Sequence, residues 1–277
     1  MGVRIDLHTH SDRSDGTDRP AELVRKAAQE AHLDVVALTD HDATTGWDEA
    51  LAAGREHGVR VVPGIEISTR YRGASVHLLG YGFDPDHAGL CAELERVRAG
   101  RTERLPQVLA KLAEHDVHIS ADDVAAVSGA AAASGRPHIA DAMVAKGYLR
   151  HRDEAFDGWL NTHGRAYVPR YAAPLEEAVA LLRAAGGRAV VAHPWSRSGR
   201  RVLAEDDFAR LRALGLDGLE AGHNDHDDQQ QRALRGIAAD LGLVHTGSSD
   251  YHGTGKSDRF HLGAHLTEPE QFERLGL

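Results

Sequence analysis

Two histidines near the start of the chain have the spacing of metal ligands. His8 and His10 end a predicted strand of alternating apolar residues, and a separation of two residues places both imidazoles on one face. Asp15 follows at a predicted turn and adds a carboxylate. Imidazole and carboxylate groups at a strand end can bind a divalent cation together. The same two histidines could also end an ordinary strand. Whether they bind a metal therefore depends on further ligands elsewhere in the chain.

Comparable side chains recur near the ends of later predicted strands. Short apolar runs typical of buried strands continue along the chain, and most of them are separated by helical patterns. The full set of candidate ligands is His8, His10, Asp15, His41, Glu66, His77, His193, Asp250 and His252. This set exceeds the four ligands that one tetrahedral ion needs, so we expect two to three divalent ions that share a bridging carboxylate.

The ligand types narrow the identity of the metal. The set combines imidazole with carboxylate and has no thiolate, because Cys91 is the only cysteine of the chain. Ligands of this kind suit manganese, iron, zinc or cobalt. The single cysteine also excludes an internal disulfide bond.

The strand pattern predicts an α/β fold that would bring these ligands together. Strands alternating with helices are typical of a parallel barrel, and the chemistry of such barrels lies at the carboxyl ends of the strands. Between about 91 and 164 helical stretches replace the strand pattern. We therefore expect a barrel formed by 1–90 and 165–277, with 91–164 as an inserted helical cap subdomain. The seven predicted strands lie at about 3–7, 34–39, 60–67, 75–81, 188–192, 216–221 and 243–247.

Composition limits the partners. The 277 residues are 42% hydrophobic, as in an ordinary globular protein, and the formal net charge is −10. This charge argues against broad contact with duplex nucleic acid or an anionic membrane. It leaves room for an anionic substrate, since bound metal ions can reverse the local charge. The sequence has no apolar run of membrane-spanning length and no apolar signal-peptide core at its start, so we expect a cytoplasmic protein.

Five segments, in order along the chain, resemble the polymerase and histidinol phosphatase (PHP) family. They are Asp6-Leu-His-Thr-His10, Thr39-Asp-His41, Gly64-Ile-Glu66, His193-Pro194 and Ser249-Asp-Tyr-His252. The resemblance implies a distorted (β/α)7 TIM-like barrel, a trinuclear metal centre with manganese as the expected metal, and hydrolysis of phosphate esters. A metal-activated hydroxide would attack phosphorus in line. Asp250 and His193 are then expected to act in catalysis as well as in metal binding.

Further segments resemble one subgroup of this family. Four segments are similar to segments of the nucleoside 3′,5′-bisphosphate phosphatases, some of which also trim the 5′ ends of short RNA. They are Ser11 to Gly16, Asp40-His-Asp42, Gly64-Ile-Glu-Ile-Ser68 and Ser134-Gly-Arg-Pro-His-Ile-Ala140. The resemblance implies that the helical cap covers the metal centre and that Ser134, Arg136 and His138 bind substrate phosphate. An arginine at this position could instead be an ordinary solvated one. The expected partner is a small phosphorylated nucleotide or a short 5′-phosphorylated oligonucleotide.

Two other functions stay open from the sequence. A phosphatase of the histidinol-phosphate type would use the same ligands, although the 134–140 segment argues against it. A non-catalytic metal or nucleotide sensor could have the same fold, but a binding module has no need for so many ligands. Glu220 is expected to support the ligands or the fold. Three further histidines near strand ends or in loops could line the ligand pocket, although partly exposed positions are the commoner outcome: His223, His226 and His261. The pattern gives no indication of the oligomeric state.

Overall fold

One mixed sheet and the helices around it form the body of the protein. The structure is a computed structural model and describes residues 2–196 and 199–277. The strands are β1 Ile5–Asp6, β2 Val35–Leu38, β3 Arg60–Tyr71, β4 Ala74–Tyr81, β5 Ala173–Pro174, β6 Arg188–Ala192, β7 Gly218–Gly222 and β8 Val244–Gly247. The helices are α1 Pro20–Gln29, α2 Trp47–His57, α3 Ala88–Ala113, α4 Ala121–Ser128, α5 Arg136–Ala145, α6 Leu175–Ala184, α7 Glu205–Ala213, α8 Asp228–Asp240 and α9 Pro269–Leu275.

The predicted α/β barrel is confirmed by the order of the strands. They are paired in the order β1-β2-β3-β4-β6-β7-β8, and the short β5 pairs with β3 beside this path. A parallel bridge between Thr9 and Tyr251 joins the segments that follow β1 and β8, so the sheet is nearly closed. Apolar side chains from β1, β4, β6 and β8 pack in one cluster, as expected for strands that face each other across a barrel.

One strand runs against the direction that we expected. β4 is antiparallel to both β3 and β6, whereas the strand–helix pattern predicted parallel strands throughout. The cause is local: β3 extends to Tyr71, and only Arg72 and Gly73 connect it to β4. Both residues have positive φ, as a two-residue hairpin turn requires. So short a connection cannot cross over to a parallel strand.

The reversal of β4 decides where His77 lies. In an antiparallel strand the amino-terminal half lies at the end of the barrel where its parallel neighbours finish. His77 accordingly pairs with Ser68 on one side and with Ala192 on the other. Ala192 directly precedes His193, so the two histidines meet at the same rim.

The helical insertion has its own core, which one long helix joins to the barrel. Leu90 and Val97, in the first half of α3, pack in the cluster formed by the barrel helices. Val108 and Leu112, in the second half, pack with Ile139 and other apolar residues of the cap. The helix therefore crosses from one core to the other. The expected limits of 91 and 164 for the cap stay a prediction.

Candidate metal centre

The predicted ligands come together at one end of the barrel. Strands place them there, because each lies within a strand or in the segment that follows one. The positions are His8, His10 and Asp15 after β1, His41 after β2, Glu66 in β3, His77 in β4, His193 after β6, and Asp250 and His252 after β8. Most of these side chains are buried, and those of His41, His77 and His193 are partly exposed. Their individual roles stay predictions.

Glu66 lies at the middle of the cluster. Its side chain is 1% exposed, and both carboxylate oxygens are surrounded by imidazole nitrogens. Oε2 is 3.2 Å from His8 Nε2, 3.1 Å from His10 Nε2 and 3.1 Å from His41 Nδ1, while Oε1 is 2.7 Å from His77 Nδ1 and 3.1 Å from His193 Nε2. A carboxylate in this position has the geometry to bridge more than one cation.

Two further carboxylates extend the cluster on either side of Glu66. Asp250 Oδ1 is 3.5 Å from His8 Nε2 and 3.4 Å from His10 Nε2. Asp15 Oδ1 is 3.3 Å from His252 Nε2. Among the residues that the structure describes, three overlapping groups of side chains could each hold an ion: His10, Asp15, His41 and His252; His8, His10, Glu66 and Asp250; and His41, Glu66 and His77.

The donor atoms fit divalent cations. Two ligands at about 2.1 Å from one ion are about 3.4 Å apart when the coordination is tetrahedral. Neighbouring donor atoms have about this spacing, as in the 3.4 Å between His10 Nε2 and Asp250 Oδ1. Asp15 Oδ1 and His41 Nδ1 are also buried, and although each lies 3.1–3.3 Å from an atom of opposite character, neither contact has the alignment of a hydrogen bond in the described structure. Buried polar atoms normally have a partner, so these two atoms have the character of metal ligands.

The electrostatics of the cluster favour charged carboxylates. Burial opposes ionisation of Glu66 and Asp15, but the imidazoles beside them hold the pKa of both carboxyl groups well below the usual range. Burial lowers the pKa of His41 to about 3 and that of His252 to about 4, which favours the neutral ring, the form that offers a lone pair to a metal. Burial acts in the same direction on His10, but hydrogen bonds with two carboxylates raise its pKa to about 9. Metal binding would displace that proton.

Glu220 contacts two of the candidate ligands, His8 and His193, and holds them in position. One oxygen is 2.9 Å from His8 Nδ1, which orients the opposite ring nitrogen toward Glu66. The other oxygen accepts a hydrogen bond from the backbone N–H of His193 at 2.8 Å. His193 and Asp250 both have positive φ, 27° and 53°, a backbone region that costs about 1–3 kcal/mol for residues other than glycine. Strained positions of this kind cluster at functional sites.

Two buried aspartates next to candidate ligands hold the loops in place. Asp6 Oδ1 accepts a hydrogen bond from the backbone N–H of Ser249 at 3.0 Å, one residue before Asp250. Asp40 accepts hydrogen bonds from Ser11, 2.8 Å from its backbone nitrogen and 2.6 Å from its hydroxyl oxygen. Burial raises the pKa of both aspartates, and their hydrogen bonds oppose this effect. Both residues belong to segments that carried the family resemblance, although the sequence did not indicate these contacts.

Sequence reasoning did not identify two side chains that contact Asp250. His223 Nε2 is 3.1 Å from Asp250 Oδ2, and Lys256 forms an ion pair with the same oxygen. His223 lies near a strand end and could have been a pocket residue, but we expected it to be a partly exposed histidine, as most histidines are. Lys256 follows in a loop, where a lysine normally belongs to the solvated surface. The positive charge of Lys256 and the imidazoles overcome burial and hold the pKa of Asp250 well below its usual range.

The cap contacts the rim of the metal centre through an arginine. Arg152 donates hydrogen bonds at 3.1 Å to the backbone carbonyls of Asp15 and Gly255, and it pairs with Asp141 of α5. These contacts tie the cap to two loops that carry candidate ligands or their neighbours. The cap therefore lies against the centre.

The residues expected to bind substrate phosphate lie at the start of α5. Gly135 is the N-cap of this helix, and its backbone N–H donates to His138 Nδ1 at 2.9 Å. Ser134 Oγ is 2.9 Å from Ser128 Oγ, and Arg136 Nη1 donates to the carbonyl of Leu160 at 3.0 Å. The three residues are thus neighbours at one helix end. Phosphate binding by them stays a prediction.

A nearly closed α/β barrel with a shared imidazole and carboxylate cluster at one mouth defines a metallohydrolase type of active site. Comparison with known proteins agrees with this class. Residues 6–140 match the PHP domain, and relatives align along most of the chain. The chain belongs to the PHP family.

Three relatives show how far the similarity extends. A 3′,5′-nucleoside bisphosphate phosphatase of Chromobacterium violaceum is 35% identical, with 93% of this chain and 90% of the relative covered. A 5′-3′ exoribonuclease of Haemophilus influenzae is 32% identical, with 91% of each chain covered. A solved structure from Bifidobacterium adolescentis, suggested to be a metal-dependent phosphoesterase, superposes with a TM-score of 0.93. It is 36% identical over 99% of this chain and 96% of its own.

Proposed function

We propose that this metal-dependent phosphoesterase removes a phosphate group from a nucleoside 3′,5′-bisphosphate or from a short 5′-phosphorylated oligonucleotide. The observation that carries the proposal is the arrangement around Glu66, where imidazole nitrogens from several strands face one carboxylate at 2.7–3.2 Å. The names of the two curated relatives support the substrate class.

The proposed centre holds two to three divalent ions, with manganese as the first choice and iron or zinc as the others. The overlapping ligand groups support more than one ion, and the mixed imidazole and carboxylate ligands suit these metals. Bound divalent ions would supply Lewis-acid activation of water and neutralise charge on the phosphoryl group. The proposed catalytic roles of His193 and Asp250 are to fix the ions and to position the attacked phosphate.

The protein's own residues orient the reacting groups. Glu220 keeps the ring of His8 turned toward the ligand cluster through its contact with Nδ1. Lys256, paired with Asp250, adds positive charge at the mouth where an anionic substrate would enter. A second phosphate would be bound away from the cluster by Ser134, Arg136 and His138 at the start of α5. The close contact between cap and barrel supports this placement.

The site also limits the partners. The proposed substrate is a nucleotide or a short single strand, because the cap contacts the rim of the barrel through Arg152 and the net charge of −10 disfavours broad contact with a duplex. Within the described residues, no helix is both long and apolar enough to cross a bilayer. The cytoplasmic location expected from the sequence stays a prediction.

A panel of phosphate esters tests the proposal. In the presence of Mn²⁺, the protein is expected to release phosphate from adenosine 3′,5′-bisphosphate and from a 5′-phosphorylated dinucleotide with kcat/KM at least tenfold above that for histidinol phosphate. The reason is that a second phosphate or phosphodiester contributes binding that a single phosphate lacks. A preference for histidinol phosphate would instead support a phosphatase of the histidinol-phosphate type. Binding of nucleotide without any phosphate release would support a sensor and contradict the proposal.

A further inference from the structure

Helix α3 presents a row of arginines toward the rim of the metal centre. Arg98, Arg101 and Arg104 are three residues apart, so they lie along one face of the helix. Arg98 Nη1 donates to the backbone carbonyl of Asp42 at 2.8 Å. Arg101 donates to Asp42 Oδ2 through Nε at 3.0 Å and through Nη2 at 2.7 Å. Asp42 directly follows the candidate ligand His41, so the row begins beside the centre.

Arg104, the third member of the row, has no such partner. Its side chain is 5% exposed, yet it forms no hydrogen bond or ion pair with any residue in the described part of the chain. Its Nε is buried and unpaired. A buried guanidinium without a counter-charge is costly, and structural arginines of this kind are normally paired.

Further guanidinium groups surround Arg104 instead of carboxylates. Burial first, and then the charges of Arg170, Arg136 and Arg101, lower the pKa of Arg104 to about 8. Burial and Arg101 likewise lower the pKa of Arg170 to about 9. Arginines stay protonated in proteins, so the cluster holds several like charges close together in a buried place, which is costly. An anion bound among them would relieve that cost.

The cluster opens into a groove that could admit such an anion. The groove has a volume of about 280 Å³ and lies between α3 and the segment before β5. Its lining includes Arg104, Gln107, Arg170 and Tyr171. Glu103 also lines the groove but is exposed, and Asp42 is already bound by Arg101. The start of α5 reaches the same cluster. The backbone of Gly135 lies so close to Arg101 that a side-chain Cβ at this position would be only 3.0 Å from Arg101 Nη1.

We propose that Arg104 and Arg170, with Arg101 and Arg136 beside them, form an anion subsite for a phosphate of the substrate that is not hydrolysed. This rests on the proposed function and extends it, because nothing in the sequence distinguished Arg104 or Arg170 from surface arginines. The ligand is either the second phosphate of a bisphosphate or the next phosphodiester of an oligonucleotide. Both offer the oxygen acceptors that guanidinium groups bind in pairs.

Arg104→Gln and Arg170→Gln test the subsite by kinetics. Each is expected to reduce kcat/KM for the phosphate esters with a second phosphate roughly 30-fold or more, and to change hydrolysis of a simple aryl phosphate less than threefold. Comparing adenosine 3′,5′-bisphosphate with a 5′-phosphorylated dinucleotide identifies the source, because the true ligand shows the larger loss. Arg150→Gln, which removes an 88% exposed arginine of the cap, serves as the matched control. Equal loss on every substrate, or loss on none, would overturn the proposal.

Thermal unfolding gives a readout that does not need catalysis. Without anions, Arg104→Gln is expected to raise Tm by roughly 2 °C or more, since it removes an uncompensated buried charge. Sulfate at constant ionic strength should raise the Tm of the wild-type protein and of Arg150→Gln, and that of Arg104→Gln by less than half as much. An Arg104→Gln protein with lowered Tm and an unchanged response to sulfate would overturn the subsite. If the bisphosphate is not hydrolysed at all, the proposed function fails while the sulfate response still decides the subsite.

Discussion

Replacing Glu66 with glutamine is expected to abolish phosphoesterase activity and reduce the metal content. Five imidazole nitrogens lie within 3.2 Å of its two oxygens, so a neutral amide would remove the charge on which the cluster depends and would place an NH₂ group against some of these rings. We expect kcat/KM for an aryl phosphate to fall roughly 1,000-fold or more, about 4 kcal/mol in the transition state. Metal per chain should fall by at least one ion, as measured by elemental analysis.

Asp207 provides a matched control for the loss of a buried carboxylate. It is 2% exposed and accepts a hydrogen bond from the hydroxyl of Tyr71 at 2.8 Å, but it is not part of the cluster. Asp207→Asn should lower the free energy of unfolding by about 1–3 kcal/mol and leave metal content and kcat/KM unchanged. If Glu66→Gln retained the metal content and activity of the wild-type protein, Glu66 would not be a ligand.

Replacing Arg136 with alanine is expected to impair hydrolysis of a bisphosphate much more than hydrolysis of an ester with a single phosphate. Arg136 follows Gly135 at the start of α5, where the backbone can approach a ligand closely and a guanidinium can bind phosphate through two hydrogen bonds. Loss of this contact should cost roughly 2–4 kcal/mol, or about 30- to 1,000-fold in kcat/KM for adenosine 3′,5′-bisphosphate. Hydrolysis of an aryl phosphate, which has only the scissile phosphate, should change little.

A hydrogen bond of Arg136 within the cap defines the control for this experiment. Its Nη1 donates to the carbonyl of Leu160, so alanine could also loosen the cap. Arg136→Lys keeps the charge but cannot form the paired contact, and it should show an intermediate loss on the bisphosphate. Metal content should be the same in all three proteins. Equal loss on both substrates would assign Arg136 to the reacting phosphate or to folding, and no loss on either would show that Arg136 does not bind phosphate.

The sequence was most informative about residues that follow short buried strands. The apolar runs before His41 and His193 define β2 and β6 closely, because a strand buried on both faces excludes polar residues until it ends. The strand ends of a barrel meet at one mouth, so a correct strand assignment also placed the candidate ligands together. The family resemblance added the substrate class, which the ligand spacing alone did not contain.

Contacts between distant segments were not predictable from the sequence. The reversal of β4 depends on the two-residue turn at Arg72 and Gly73. This turn directly follows β3, which extends to Tyr71 and is longer than the apolar run in the sequence indicated. Lys256 contacts Asp250 only because the loop after β8 folds back over the barrel mouth. The arginine cluster likewise combines α3 with the segment before β5. Side-chain pairs of this kind are set by tertiary packing, and no local pattern encodes them.

The most direct test of the central claim is phosphate release from adenosine 3′,5′-bisphosphate during titration of chelator-treated protein with Mn²⁺. If the cluster around Glu66 is the catalytic metal centre, the metal-free protein should be inactive. Activity should then appear as two to three equivalents of Mn²⁺ bind per chain, consistent with the overlapping ligand groups. Full phosphate release by the metal-free protein, or saturation with metal below one equivalent per chain, would contradict the account.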